Sequence, residues 1–155
     1  MMILYGLVIL ISVVLDQLVK WWVVQNISLG ETIGQNPIMT LTFIKNEGAA
    51  WSILEGKLWF FVLITIIALT VFPYMLYKNR NNSKWLTVGL SLIIGGTIGN
   101  FIDRVRLNYV VDMFQTEFIR FPIFNVADVA LSIGVACLFF YLIFIEGKER
   151  SNKLK

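Results

Sequence analysis

The sequence predicts an all-α membrane protein with four transmembrane helices and a small extracytoplasmic β-segment. Of the 155 residues, 57% are hydrophobic and only 15% are charged, which is too apolar for a soluble domain of this length. Four long apolar runs alternate with polar stretches, and one polar stretch shows the alternation that is typical of a strand. We therefore expect a single membrane-embedded domain comprising residues 1–155.

The four apolar runs cover residues 3–24, 58–77, 85–102 and 123–145. Each is close to the ~20 residues that cross ~30 Å of hydrocarbon. Backbone groups in lipid must bond within their own segment, so each run is expected to be a helix. The first run lacks a basic start and a small-residue cleavage site, which favours a retained span over a cleaved signal peptide.

Charge predicts how the spans are oriented. Seven of the 13 lysines and arginines fall in the short segments 78–84 and 146–155, with only two of the 10 acidic residues. The positive-inside rule then places both termini in the cytoplasm. The longer polar segments, residues 25–57 and 103–122, become extracytoplasmic, so most of the unusual polar residues gather at the outer face.

The first extracytoplasmic segment contains a strand pattern. In "MTLTFIKNEG", residues 39–48, threonines alternate with leucine and phenylalanine. Turn signals lie on either side, at Asn36-Pro37 and Glu47-Gly48. A short strand is predicted, with an irregular loop as the alternative. The apolar stretch 49–54 is too short to span, and its Trp51 would suit the membrane interface.

Composition also excludes several classes of function. The net charge is +3 and no lysine- or arginine-rich block is present, which argues against nucleic-acid binding. The chain has no histidine and one cysteine, Cys137, so an internal disulfide and a zinc site of the usual Cys/His kind are excluded. We expect no metal and no cofactor, and a packing role for Cys137.

Several ionisable or amide side chains lie near the outer ends of the spans. Asp16 and Lys20 are four apart and share a helix face, which predicts either an ion pair facing the bundle or a direct role in a site. "GNFIDR" places Asn100, Asp103 and Arg104 at the outer end of the third span. Helix capping and interface anchoring are the structural alternative to supporting a nearby site.

Asp112 and Asp128 stand in or beside apolar sequence, where a carboxylate is costly. Asn125 and Asp128 have the spacing of a capping box at the start of the fourth span, which explains Asp128 structurally but not Asp112. Ionisable residues at such positions are candidates for a functional site.

The available residues limit the chemistry. Without histidine, serine–histidine catalysis is excluded. A serine–lysine pair of Ser52 and Lys20 is conceivable, although no spacing links them, and a carboxylate-only metal site is a weak possibility. A carboxylate dyad needs only Asp112, Asp128 and a water, because two nearby carboxyls share one proton. The ionised member would then activate water, and the protonated member would donate to a carbonyl oxygen.

The motifs resemble those of the lipoprotein signal peptidases, the type II signal peptidases of bacteria. Along the chain these motifs are "DQLVK" at 16–20, "NEGAAWS" at 46–52, "GNFIDR" at 99–104, "VVDMF" at 110–114 and "FNVADVAL" at 124–131. Each motif is weak alone, but five in this order on a four-span chain are specific. The resemblance implies an aspartic endopeptidase of the bacterial plasma membrane that cleaves prolipoproteins just before a cysteine carrying diacylglycerol.

By the same resemblance, the catalytic pair falls on Asp112 and Asp128. Residues matching the family's motifs would line or brace the site: Asn46, Gly48, Asn100, Asp103, Arg104, Asn125 and Ala127, with Asp16 and Lys20 in support. The chain departs from the family at Val129, where serine is common. The implied partners are lipidated prolipoproteins and membrane lipid, and a monomer is expected.

Three other functions are compatible with parts of the pattern. A small proton-coupled transporter could use the same carboxylates, but it predicts acids spread through the membrane depth. Another class of intramembrane aspartyl protease would show a Gly-x-Gly-Asp signature, which is absent. A non-catalytic assembly factor with capped helices would tolerate loss of both carboxylates.

Overall fold

Four helices in the computed structural model are long and apolar enough to cross a membrane, within the residues that the structure describes, 2–48 and 56–147. They are α1 (Met2–Asn26), α2 (Leu58–Lys78), α3 (Lys84–Leu107) and α4 (Val126–Phe140), the last continuing as a π-helix over Tyr141–Glu146. This arrangement confirms the predicted four-helix membrane fold. The apolar segment 49–54 with Trp51, and the basic tail after residue 147, lie outside the described residues.

Helix α3 is the centre of the bundle, and α1, α2 and α4 all pack against it. Three glycines allow the close approach, since a Cβ at Gly95 would lie 2.7 Å from the Cβ of Ser12 and one at Gly99 would lie 2.6 Å from Oδ2 of Asp16. A Cβ at Gly96 would overlap the carbonyl oxygen of Ala127. The small-residue spacing of Gly95 and Gly99 therefore marks tight helix packing.

A three-stranded antiparallel sheet covers one end of the bundle, the end that the charge distribution predicts to be extracytoplasmic and that is called the outer end below. Its strands are β1 (Thr32–Ile33), β2 (Met39–Asn46) and β3 (Val110–Thr116), in the order β1-β2-β3. The predicted threonine alternation lies in β2, which confirms the small β-segment. Val23 and Ile27, at the end of α1, form an apolar cluster with residues of β2 and β3, so the sheet is anchored on the first helix.

The third and fourth helices differ in length from the predicted spans. Helix α3 continues to Leu107 instead of ending at 102, so Asp103 and Arg104 lie in its last turns and not in the extracytoplasmic segment expected to begin at 103. It ends at Asn108, whose left-handed φ of 66° closes the helix. Hydropathy marks a span as ending at its first charges, but Asp103 is only 3% exposed and is neutralised inside the bundle. Helix α4 begins at Val126 instead of 123, because Asn125 caps it.

Lys20 joins the first helix to the rest of the protein. Its ammonium lies 2.9 Å from Oδ2 of Asp16 and 3.0 Å from Oδ2 of Asp103, and all three side chains are buried. Asp103 also accepts the backbone N–H of Val111 at 3.0 Å, and Asp16 accepts that of Ala127 at 2.9 Å. The ion cluster therefore fixes α1, α3, β3 and the start of α4 relative to one another.

We expect Gly96→Ala to lower the melting temperature of the purified protein in detergent. The added methyl group meets the backbone of α4, which cannot move aside as a flexible side chain can, so the loss should be about 1–3 kcal/mol. Gly6→Ala is the matched control, since a Cβ at Gly6 meets no atom within 4 Å. Equal melting temperatures for the two variants would contradict this account of α3–α4 packing.

We expect Lys20→Met to destabilise the protein by about 3–5 kcal/mol, because it leaves two buried carboxylates without their shared cation. Adding Asp16→Asn and Asp103→Asn to that variant should recover part of the loss, since the uncompensated charge is then removed. Thermal unfolding in detergent measures both effects. A triple variant less stable than Lys20→Met alone would show that the carboxylates do not depend on Lys20.

Candidate active site

A cavity of about 630 Å³ opens at the end of the bundle that carries the β-sheet. Helices α2 and α4 form its two sides and α3 its back; both side helices pack on α3 but make little contact with each other in the described part of the chain. The outer end of the cavity is polar, and the deeper part is lined mainly by apolar side chains such as Ile64, Ala68 and Leu131. Six of the predicted site residues line it: Asn46, Gly48, Asn100, Arg104, Asp112 and Asp128.

Asp112 lies on β3, where its side chain is only 1% exposed. Its two oxygens accept hydrogen bonds from different amides: Oδ1 from Nδ2 of Asn125 at 2.6 Å and Oδ2 from Nδ2 of Asn46 at 2.8 Å. Burial raises the pKa of Asp112 to about 6, and the nearby Asp128 carboxylate acts in the same direction. The two amide donors oppose this rise but do not cancel it.

Asp128 lies in the first turn of α4 and is half-buried. It forms a reciprocal capping box with Asn125: its backbone N–H donates to Oδ1 of Asn125 at 3.0 Å, and its Oδ2 accepts the backbone N–H of Asn125 at 3.1 Å. This is the capping box expected from the sequence. The other oxygen, Oδ1, accepts from Nδ2 of Asn100 at 2.8 Å and is held towards the cavity.

Asn125 connects the two carboxyl groups. Its side-chain oxygen and backbone N–H hold Asp128, while its Nδ2 donates to Asp112. The same Nδ2 donates to Oδ1 of Asn100 at 3.0 Å. Because Asn125 is fully buried, these bonds are shielded from water and fix the two aspartates relative to each other.

The orientation of Asn100 depends on Lys20. The ammonium donates to Oδ1 of Asn100 at 2.9 Å, so the amide must present its nitrogen to Asp128. A buried cation is thereby connected to the carboxylate through one polarised amide. Lys20 does not line the cavity, and it affects the site by orienting the amide of Asn100.

Arg104 supplies a positive charge at the cavity wall. Its guanidinium lies 5.0 Å from the ring centroid of Phe61 on α2, a cation–π distance, and Nη1 donates to the backbone oxygen of Asn100 at 3.4 Å. It interacts electrostatically with both Asp112 and Asp128. Arg104 therefore connects α2, the loosely packed side of the cavity, with the two aspartates.

The remaining predicted residues lie behind the cavity wall. Asp16, Lys20 and Asp103 form the ion cluster, and Ala127 contributes its backbone N–H to it. Sequence reasoning missed Gln17, whose Nε2 donates to Asp103 Oδ1 at 3.0 Å and to the backbone oxygen of Gly99 at 3.2 Å. An amide inside the first apolar run, next to Asp16, was the available signal.

This arrangement is suited to acid–base chemistry on a peptide. One carboxyl is buried with a raised pKa, the other lies at a helix N-terminus, and both open on a space large enough for a substrate segment. The polar end can hold water and a peptide backbone. The apolar part can hold a segment that comes from the hydrocarbon.

Comparison with known proteins agrees with this geometry. The model of the signal peptidase (SPase) II family matches residues 8–144. A lipoprotein signal peptidase of Enterococcus faecalis is 53% identical over 154 residues, covering 99% of this chain and 96% of that protein. Another, from Latilactobacillus sakei, is 50% identical over 147 residues, covering 94% and 97%.

A solved structure described as a bacterial membrane enzyme, determined by the in meso method at 2.3 Å resolution, has the same fold. It matches with a TM-score of 0.86 at 38% identity, covering 96% of this chain and 90% of that one. A second such structure, at 1.9 Å resolution, gives a TM-score of 0.83 at 37% identity, covering 91% and 93%. These relationships support a peptidase and not the transporter alternative. The chain belongs to the signal peptidase II family of membrane proteases.

Proposed function

We propose that this protein is an aspartic endopeptidase that removes signal peptides from diacylglyceryl-modified prolipoproteins, with Asp112 and Asp128 as its catalytic pair. The observation that carries the proposal is that both carboxyls face one cavity and are bridged by Asn125. Cleavage falls just before the lipidated cysteine, as the resemblance to the lipoprotein signal peptidases implies. Prolipoproteins are the substrates implied by the names of the relatives.

The two aspartates have different environments and take different roles. Asp112 is the proton holder, because burial raises its pKa to about 6. Asp128 is the ionised member, because the partial positive charge at the N-terminus of α4 and two N–H donors stabilise its carboxylate. The two carboxyls share one proton, as two neighbouring carboxyl groups do when both face one site.

Hydrolysis then follows the general acid–base pattern. Asp128 takes a proton from a water molecule as that water attacks the scissile carbonyl carbon, and Asp112 donates its proton to the carbonyl oxygen. Asp128 then passes the proton it took from water to the nitrogen of the lipidated cysteine as the C–N bond breaks, and a hydroxyl of the collapsing gem-diol returns a proton to Asp112 as the new carboxyl group forms. Arg104, on the cavity wall, balances the negative charge of the dyad.

The extended peptide segment around the cleavage site lies across the outer end of the cavity. Asn46, at the end of β2, and Asn100 present amides there, and each has a second Nδ2 hydrogen that can donate to a carbonyl of the peptide backbone. Gly48 lines the same end and allows the chain to approach closely. Ala127 and the ion cluster of Asp16, Lys20 and Asp103 are supporting residues.

Substrate enters sideways from the lipid between α2 and α4, the two helices with little mutual contact. Lateral entry leaves the acyl chains in the bilayer, and extracting them into water would cost tens of kcal/mol at about 0.8 kcal/mol per CH₂. The protein lies in the bacterial plasma membrane as a monomer, with both termini cytoplasmic and the dyad near the outer face. The clustering of basic residues in 78–84 and 146–155 supports that orientation.

We expect Asp112→Asn and Asp128→Asn each to reduce cleavage of a lipidated model precursor by at least about 100-fold, because each removes one member of the acid–base pair. Neither variant should lose its place in the membrane. Glu31→Gln is the matched control, since it removes a fully exposed carboxylate that does not line the cavity. Full activity of either aspartate variant in purified form would exclude the dyad.

We expect kcat/KM to fall with rising pH above an apparent pKa near 6, because the free enzyme then loses the proton on Asp112. Asn46→Leu should move this falling limb to higher pH, since the hydrogen bond from Asn46 stabilises the ionised carboxylate and lowers the pKa of Asp112. The pH dependence of kcat/KM in the two proteins tests both statements. If the falling limb of the Asn46→Leu profile stays in place or moves to lower pH, the essential proton is not on Asp112.

A further inference from the structure

The membrane-spanning helices contain seven serine and threonine residues, and the structure divides them into two groups. In the first group each hydroxyl donates to the backbone carbonyl four residues earlier, at 2.8 Å for Ser12, 2.8 Å for Thr70, 3.1 Å for Thr87 and 2.7 Å for Ser91. This is the usual way to satisfy a hydroxyl in hydrocarbon, because no water is available there.

The second group consists of Thr65 on α2, Thr97 on α3 and Ser132 on α4. These hydroxyls make no hydrogen bond within the described part of the chain, and all three line the cavity. Thr65 is the clearest case, because its side chain is 92% buried, at 8% exposure. No fully buried side-chain oxygen or nitrogen lacks a partner among the described residues, so the unbonded Thr65 oxygen is reached by solvent, and Thr65 is one of the residues that line the cavity.

Two of the three hydroxyls, those of Thr97 and Ser132, lie deeper along their helices than the groups that hold or carry the proposed catalytic carboxyls. Thr97 is three positions before Asn100 on α3, about 4.5 Å further from the outer end, and Ser132 is four positions after Asp128 on α4, about 6 Å deeper. Their neighbours in the cavity wall are apolar: Ile64, Ala68, Leu131 and Ile133. Three helices therefore each present one hydroxyl group to the same largely apolar part of the cavity, and those of Thr97 and Ser132 lie about one helical turn below the dyad.

We propose that Thr65, Thr97 and Ser132 form a subsite that donates hydrogen bonds to the ester carbonyls of the substrate's diacylglyceryl group. This inference rests on the proposed function and assigns it a second recognition site. When acyl chains fill the groove they displace water, and each hydroxyl then needs an acceptor from the substrate. Ester carbonyls accept without donating, and they lie only a few bonds beyond the cysteine sulfur, within about one helical turn of the scissile bond.

The peptide part of the substrate is the less suitable partner. A signal helix bonds its own backbone internally except for its last four carbonyls, which point along the axis towards its C-terminal end. With the cleavage site at the outer face, those carbonyls point outward to Asn46 and Asn100 and away from hydroxyls one turn deeper. The esters are the acceptors of the substrate that remain for Thr65, Thr97 and Ser132.

The test compares two lipidated precursors with the full-length protein in lipid. One peptide carries a diacylglyceryl thioether, and the other carries a dialkylglyceryl thioether of the same chain length, which lacks only the carbonyl oxygens. The proteins are the parent chain, Thr65→Val, Thr97→Val, Ser132→Ala and the triple variant. Thr70→Val is the matched control, since Thr70 is on the same helix, faces away from the cavity and donates to Ile66.

The readout is the ratio of kcat/KM for the ester to that for the ether precursor, taken within each preparation so that partial unfolding cancels. We expect the parent chain to prefer the ester by roughly five-fold for each hydrogen bond that forms. Each single variant should lower the ratio, the triple variant should bring it towards one, and Thr70→Val should leave it at the parent value.

Two results would overturn the subsite while leaving the proposed function intact. One is a parent ratio of one, with both lipidated precursors cleaved. The other is an equal loss on both precursors in the variants, which would assign the hydroxyls to the peptide. Failure of the parent chain to cleave either lipidated precursor, or equal cleavage of an unlipidated one, would instead overturn the function itself.

Discussion

The buried ammonium of Lys20 is the interaction on which the architecture of the site depends. It neutralises Asp16 and Asp103, and these in turn hold the backbone of Ala127 and Val111 next to the two aspartates. A cation in this position is expensive to bury, and it is retained only because every member of the cluster is paired. The same cation orients the amide of Asn100 towards Asp128. The orientation of the proposed catalytic carboxyls thus depends on an ion cluster whose members do not line the cavity.

Asp112 and Asp128 have the same side chain, but their positions in the fold give the two carboxyl groups different environments. Asp112 stands on a strand that is covered on both faces, and burial raises its pKa to about 6. Asp128 is half-buried in the first turn of a helix, where N–H groups point at its carboxylate. Asn125 serves both, as the cap of α4 and as a donor to Asp112. Asn125, which the sequence explains as a helix cap, is therefore also the link between the two proposed catalytic groups.

Packing is tight on one side of the bundle and loose on the other. Helix α3 is the buried centre, and its glycines bring α1 and α4 into backbone contact. In the described part of the chain, helix α2 packs mainly on α3 and makes little contact with α4, so the cavity between α2 and α4 is open. The tightly packed side holds the two carboxyls in place, and the loosely packed side is the one compatible with the proposed lateral entry of a substrate. Among the described residues, the span hydroxyls that line this cavity have no protein partner, whereas the other span hydroxyls bond back to their own helix.

The lengths of the four apolar runs, the alternation in residues 39–48 and the order of five motifs were enough to predict the four-helix membrane fold, the small β-segment and the family. These features can be read from the chain itself, because they do not depend on contacts between distant segments. They could not reveal that α3 continues through Asp103 to Leu107, since only Lys20 from another helix makes that carboxylate tolerable in the bundle. Strand β3 was equally hidden: Val110, Val111, Asp112 and Met113 are all buried, so no alternation marks it. The link between Asp112 and Asp128 through Asn125, and the cavity between α2 and α4, exist only once distant segments pack together, because hydrogen-bond partners and empty space are set by tertiary contacts.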